Sequence, residues 1–349
     1  MLTGGGTAGH LYPAIAVARE LMRGGLRTQL VGSRRGREAQ IAAAEGLEFR
    51  ALRIYGWVGK GALARLQALL ALPLALAAAL ALLAGQRPRF VFGTGGYAAA
   101  PLMIAAILLR VPLALHESNR TAGLTNRMLG RFSQLRFVAF RETGAELGGE
   151  AIAAGTPVRA EFGAIGPPEP QQRLRLLCFG GSSGAAGLDR LVLAALRQLE
   201  SRKSELAIAH QVSARERAAV EQFYHGGDWR AEVGAYFDDM PRRMAQADLV
   251  ICRAGATSVA ELAAAGRASV LVPLPSAAGG HQRANAAALE AAGAAVMVEQ
   301  GESAPAYLAL EIGRYLQHRA LAAEVGARAR RLARPHAARE IAERLQELA

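Results

Sequence analysis

A chain of 349 residues, 52% of them hydrophobic, exceeds the length at which one core usually divides, so two domains are expected. Its formal charge of +12 is uneven: residues 1–160 hold 19 Lys+Arg against 8 Asp+Glu (net +11), the rest 22 against 21 (net +1), so the first half is the part that seeks an anionic partner. Aromatics are only 5% and no zinc-finger or RNA-recognition pattern accompanies the basic residues, which sets nucleic acid aside and leaves an anionic membrane surface or a solvated arginine-rich face.

In chain order, only Met1-Leu2-Thr3 precede the first loop, fewer than the roughly five or six residues of an ordinary strand. The strand that is central in such folds is therefore expected to be short, which puts stability and loop placement in question. No basic-then-apolar signal peptide is visible, so the chain is expected to stay inside the cell. Gly4, Gly6 and Gly9 in "MLTGGGTAGHLYPAIAVARELM" satisfy G-x-G-x-x-G, in which glycines let a helix start approach a pyrophosphate. The acidic ribose ligand of a dinucleotide enzyme is missing after the next strand, where "QLVGSRRGRE" offers Arg34 and Arg35, though an NADP enzyme stays open.

Ala68 to Ala84, "ALLALPLALAAALALLA", carries no charge, contains Pro73 and falls short of the roughly 20 residues of a membrane span. With Lys60, Arg65, Arg87 and Arg89 around it, it reads either as a buried core helix or as a patch that dips into a leaflet.

"RTQLVG", "RFVFG", "VPLALHE", "RLRLLCFG", "ELAIAHQ", "ADLVICR" and "ASVLVPLP" are short apolar runs ended by turn residues, separated mostly by helix-length Ala/Leu-rich segments. That alternation predicts parallel sheets with helices on both faces. Cys178 and Cys252 lie inside two of these runs, as small buried hydrophobes rather than a disulfide, redox or zinc pair, which fits a reducing cytoplasm. The Pro- and Gly-rich "AEFGAIGPPEPQQ" reads as a linker. The expected division is 1–160, a linker at 161–172, a second domain at 173–325 and a helical tail at 326–349 that could pack on either domain. After the linker, "LLCFGGSSGAAGLDRLVLAALRQL" repeats the strand, glycine loop and helix of the N-terminus, without the spacing or the Lys-Ser/Thr ending of a P-loop. Two such domains suit a nucleotide-sugar better than a dinucleotide. The expected fold is α/β of the GT-B glycosyltransferase type, two Rossmann-like domains with parallel sheets facing across a cleft.

The series "GGGTAGHLYPAIAVA", "GWVGKG", "GTGGYAAAP", "HESNRTAGLTNRML", "GTPVR", "FGGSSGA", "YFDDM", "CRAGATSVAELAAAG" and "HQRANAAALEAAGAA" resembles the MurG family, the UDP-N-acetylglucosamine:lipid I transferases. The motifs keep family order from Gly4 to about Gln300. The resemblance implies an inverting transfer of N-acetylglucosamine from UDP-N-acetylglucosamine to lipid I, without metal or cofactor, by a peripheral protein on the cytoplasmic face of the inner membrane, docked on anionic lipid. A related lipid glycosyltransferase with another acceptor, or a nucleotide-binding module without turnover, would keep the same loops.

Roles follow from the matched positions. His10 resembles the family's general base, and an imidazole suits that work near neutral pH; ordering the loop or binding acceptor phosphate is its alternative. Thr7, Ala8 and Gly9 of the same loop match substrate-binding positions. Gly255 to Ser258 lie at a predicted helix start whose amides and dipole would stabilise departing UDP, and Ala256, Thr257, Ser258, Val259 and Ala260 match substrate-binding positions. Glu261, on that helix's first turn, matches the ribose ligand, although Ser258-x-x-Glu261 is also a capping-box pattern. Arg159 and Ser182 match residues on the diphosphate side of the donor, and Asn119 a donor contact. Phe237 falls where main-chain groups read uracil. Gln282 and Asn285, with His281 beside them, match donor-sugar contacts, or are surface polar residues opening a helix. Asp238 and Asp239 read as turn or helix-cap residues.

Overall fold

The computed structural model describes residues 1–6, 8–34, 38–54, 62–169, 171–181 and 186–348. Its first eleven elements are β1 (Leu2–Thr3), α1 (Ala8–Arg23), β2 (Gln29–Ser33), α2 (Glu38–Ala44), β3 (Glu48–Leu52), α3 (Ala62–Gln86), β4 (Val91–Gly93), α4 (Ala100–Leu108), β5 (Leu113–Glu117), α5 (Leu124–Leu129) and β6 (Leu135–Val138). A short α6 (Ala160–Gly163) then leads into β7 (Leu174–Phe179), α7 (Ala186–Arg197), β8 (Leu206–Gln211), α8 (Arg217–Gly226), β9 (Ala231–Gly234) and α9 (Met240–Gln246). The chain continues through β10 (Leu249–Cys252), α10 (Ala256–Ala265), β11 (Ala268–Leu271), α11 (His281–Ala291), β12 (Val296–Met297), α12 (Ala304–Gln317), α13 (Ala320–Arg331) and α14 (Ala337–Glu347).

The chain forms two units, Met1–Val158 with Arg334–Ala349, and Arg159–Ala333. Each is built on a parallel sheet of six strands among the described residues, in the orders β3-β2-β1-β4-β5-β6 and β12-β11-β10-β7-β8-β9. Counted from the first strand of each unit, both orders are 3-2-1-4-5-6. The chain reverses direction across the sheet beside the first strand in both, between β1 and β4 and between β7 and β10. Loops that leave the carboxyl ends of such a pair splay to opposite faces and open a crevice, which is where doubly wound sheets bind ligands. The two glycine corners are the turns after β1 and β7, so each stands at its own unit's switch point.

Strand β1 is two residues long, yet it is central: Leu2 and Thr3 pair with Leu30 and Val31 on one side and with Phe92 and Gly93 on the other. The seven apolar runs become β2, β4, β5, β7, β8, β10 and β11. Both thiols are buried and free, and burial raises their pKa values.

The C-terminal segment does not act as one tail. Helix α13 belongs to the second unit, where Arg330 Nη2 donates to Ala265 O at 2.8 Å and a Cβ at Gly326 would lie 2.3 Å from Gly266 O. Helix α14 belongs to the first unit, where Ile341, Ala342 and Leu345 pack with Leu11, Ile15 and Leu21 of α1. The expected boundaries at 160/161 and 325/326 thus differ from the division at Val158 and Ala333, because the apolar faces of α13 and α14 are buried in different cores. The start of the expected linker is helical as well, with Phe162 of α6 fully buried.

Helix α3 runs the length of the apolar stretch and carries Pro73 inside it. It matches the buried core helix on one side only: Ala75, Ala79 and Leu83 are buried against Leu102 and Met103 of α4, while Leu70 and Leu74 stand 67% and 73% exposed. No helix of the described residues is long and apolar enough to cross a membrane.

Candidate functional site

In the first unit the turns after β1 and β4 interlock. A Cβ at Gly4 would lie 1.9 Å from Thr94 Oγ1, and one at Gly96, whose φ is +79°, would lie 2.4 Å from Gly5 O. Only glycine lets the two backbones approach this closely. His10, in the first turn of α1, places Nδ1 2.9 Å from Thr94 O, and Thr94 Oγ1 donates to His10 O at 2.6 Å. A carbonyl accepts only, so Nδ1 carries a proton, and in the neutral imidazole the lone pair is then on Nε2, the arrangement a general base needs. Gly9 and Ala8 precede it in the same turn.

Buried carboxylates brace these loops. Glu38, at the start of α2, accepts the Gly6 amide at 3.0 Å, and burial raises its pKa. Glu117, at the end of β5, is 1% exposed and accepts four hydrogen bonds of 2.9 Å, from Asn119 N and Nδ2, Gly123 N and Asn126 Nδ2. Asn119 therefore belongs to a network the sequence reading met only at one residue. His116 next to it is fully buried, and its Nε2 donates to Gly155 O at 2.8 Å. Burial lowers its pKa to about 4, which keeps it neutral.

In the second unit the turn after β10 leads into α10. Gly255 takes the N-cap position in an extended conformation and makes no side-chain cap bond. Its carbonyl accepts from Val259 N, so the amides of Ala256, Thr257 and Ser258 precede the first intrahelical bond. Ser258 is therefore inside the helix, and Glu261 is on its second turn rather than its first. The capping-box alternative falls with that register, since a capping serine must stand where Gly255 does.

Glu261 is buried, and its Oε1 lies 3.5 Å from Nη2 of Arg159. Burial raises its pKa to about 7 against the opposing pull of Arg159. The Arg159 guanidinium also lies 4.8 Å from the centroid of Phe162. The structure thus brings together two residues, 102 apart in sequence, that were assigned to ribose and diphosphate.

Asn285 is buried on α11 and donates to Ala254 O at 3.2 Å, which ties α11 to the turn that starts α10. Gln282 Oε1 accepts from Leu274 N at 2.9 Å, and His281 opens the helix after Gly280. These are not free surface polar residues, because each of the two amides spans to another loop. Phe237 is buried after β9: its amide donates to Gln211 Oε1 at 3.3 Å and its ring lies 3.6 Å from the Arg243 guanidinium. Asp239 holds the N-cap position of α9 without a side-chain cap bond, and its Oδ1 instead accepts from Arg243 at 2.7 Å. Asp238 and Asp239 thus lie in the turn that opens α9, as expected, with Asp239 at the cap position and its side chain in an ion pair rather than a cap bond. Ser182, Thr7 and the "GWVGKG" stretch with Lys60 lie outside the described residues.

Arg253 was not singled out from sequence. It is 4% exposed and its Nη1 donates to Val272 O, Pro273 O and Gln300 Oε1 at 3.1, 3.1 and 2.7 Å, joining the ends of β10 and β11 to the loop after β12. Burial lowers its pKa. An arginine after an apolar strand run was its only sequence signal.

The glycosyltransferase family 28 N-terminal domain model matches residues 1–137, and the C-terminal domain model of that family matches residues 175–345. A protein of Anaeromyxobacter sp. (strain Fw109-5), named UDP-N-acetylglucosamine--N-acetylmuramyl-(pentapeptide) pyrophosphoryl-undecaprenol N-acetylglucosamine transferase, is 40% identical, with 100% of this chain and 93% of that protein covered. One from Myxococcus xanthus (strain DK1622) with the same name is 38% identical, over 98% of this chain and 91% of its own length. The crystal structure of Acinetobacter baumannii MurG matches with a TM-score of 0.79 and 30% identity, covering 99% of this chain and 98% of that one.

Proposed function

Since the chain belongs to glycosyltransferase family 28 and within it to the MurG family, we propose that it moves N-acetylglucosamine from UDP-N-acetylglucosamine to lipid I, giving lipid II for peptidoglycan. The observation that carries this reading is identity of about 40% along the whole chain to proteins that bear that one name.

The residues supply the chemistry of an inverting transfer. His10 Nε2 takes the proton of the attacking acceptor hydroxyl, while Nδ1 is anchored on Thr94 O. The amides that open α10 and the Arg159 guanidinium stabilise the negative charge that grows on the leaving UDP. Glu261 accepts the ribose hydroxyls. Gln282, Asn285 and His281 of α11 hold the donor sugar, Asn119 and Ser182 contact the donor, and the backbone at Phe237 reads uracil. Thr7, Ala8 and Gly9 bind substrate beside His10.

The protein works at the cytoplasmic face of the inner membrane as a peripheral protein, and anionic lipid is its surface partner; nucleic acid is not. Three observations support this reading: the net +11 of residues 1–160, the exposed Leu70 and Leu74 of α3, and the exposed Leu108 and Leu109 beside Arg110 in the same unit.

Incubating the protein with radiolabelled UDP-N-acetylglucosamine and a short-chain lipid I analogue tests the function. Label is expected in the lipid II analogue. Transfer to diacylglycerol instead would point to a related lipid glycosyltransferase, and UDP binding without turnover to a nucleotide-binding module.

A further inference from the structure

The proposed reading gives Asn119 a substrate contact but leaves open what decides which end of its amide it presents. A carboxylate offers only acceptors, and each Glu117 oxygen receives two donors: Asn119 N and Nδ2 on Oε1, Gly123 N and Asn126 Nδ2 on Oε2. Both asparagines must therefore turn their NH2 groups toward Glu117 and their Oδ1 atoms away from it. Asn126 uses its NH2 fully, since it also donates to His116 O at 3.0 Å.

The same set of bonds reaches the catalytic corner. Asn126 packs on the turn at Gly95, where an added Cβ would lie 2.9 Å from its Nδ2. Thr125 Oγ1 donates to Gly96 O at 3.2 Å, and a Cβ at Gly96 would lie 3.0 Å from the His10 ring. Gly123, whose amide Glu117 holds, is the N-cap of α5, the helix that carries Thr125 and Asn126.

We infer that Glu117 is a positioning residue for the transfer: its four accepted hydrogen bonds orient Asn119 as an acceptor toward substrate and seat α5 against the Gly95–Gly96 turn beside His10. This rests on the reading of this corner as a substrate site. Glu117 touches neither substrate nor the reacting atoms, and acts through Asn119 and the turn.

The test is Glu117→Gln, which keeps the shape but puts an NH2 group where one oxygen accepted two donors. Asn119 is then expected to flip, presenting NH2 to substrate. The variant should melt within a few degrees of wild type, while kcat/KM for UDP-N-acetylglucosamine falls by about 100-fold, the scale of a lost charged hydrogen bond with a misplaced partner. Adding Asn119→Asp gives the new NH2 an acceptor and restores an oxygen toward substrate, so the double variant should recover roughly tenfold of the loss. Wild-type kinetics in Glu117→Gln would overturn the inference, as would a loss that follows only the unfolded fraction, or no recovery in the double variant. Hydrogen exchange of residues 118–127 needs no substrate: faster exchange at Gly123 and Asn119 in Glu117→Gln is expected, and unchanged exchange would overturn the inference. Absence of turnover in the wild type would count against the family reading instead, and exchange would still decide the role of Glu117.

Discussion

Glu261 is ionised at a cost that its position imposes. Its pKa is raised from 4.5 to about 7 by burial, with Arg159 opposing. A carboxyl whose folded pKa exceeds its unfolded one adds stability below pH 4.5 and loses it as pH rises through about 7. At 1.36 kcal/mol per unit, the ionised form at pH 8 costs about 3 kcal/mol relative to the protonated one. Glu261→Gln, which mimics the protonated form, should melt higher than wild type at pH 8 and close to it at pH 4. The same variant should weaken UDP binding by about 1.5 to 3 kcal/mol, the worth of a hydrogen bond to a charged group. Calorimetry of folding and of UDP binding on the one variant reads both. A lower melting point at pH 8 with unchanged UDP affinity would assign Glu261 to structure alone. His10 makes the complementary case: His10→Ala should cut turnover by roughly 100-fold to 10,000-fold with donor binding near normal, because a base acts in the transition state rather than in the bound donor. Motifs singled out His10, Glu261 and Arg159 as candidates. The braces, Glu38, Glu117 and Arg253, were not singled out, because a polar residue that serves other loops has its partners far away in sequence.

At the scale of elements, the strands recognised from apolar runs lie away from the sheet edges, and the four that were not singled out, β3, β6, β9 and β12, are the four edges. A strand inside a parallel sheet is covered on both faces and reads as a continuous apolar run, as β5 and β10 do with every residue buried. An edge strand such as β3, "EFRAL", is largely exposed and borrows its conformation from β2. Helix α3 carries the membrane prediction. Leu74→Glu adds charge to an exposed position and should abolish binding to anionic vesicles with the fold retained, whereas Ala79→Glu buries a charge in the core and should unfold the unit. Leu76 and Leu80 are the wrong probes, since both pack partly against the core. Wild-type binding should weaken with salt, screened over a Debye length of about 10 Å at 0.1 M, yet persist through the apolar contact. Vesicle sedimentation and thermal melting on the same variants read these outcomes.

The whole molecule is two doubly wound units, and the chain crosses between them twice, at Val158/Arg159 and at Ala333/Arg334. The return is held by α14, whose Ile341 and Leu345 are fully buried in the first unit. Ile341→Ala should cost about 2 to 5 kcal/mol of that unit's stability in urea unfolding, the range for deleting a buried aliphatic side chain. Tryptophan emission from Trp229, which lies in the second unit's core, should keep its wild-type midpoint. A shift of that midpoint equal to the first unit's would show the two unfolding as one.

The amino-acid sequence by itself determined the α/β class, the two glycine corners and the order of the motifs, because apolar periodicity and loop chemistry are written in neighbouring residues. Tertiary structure alone decided that both corners stand at switch points, that Glu261 pairs with Arg159, that Glu117 gathers four donors, and that α13 and α14 part company. Each of these depends on which distant segments meet. A parallel sheet sets those meetings by strand order and by the burial of whole faces, neither of which is a local property of the chain.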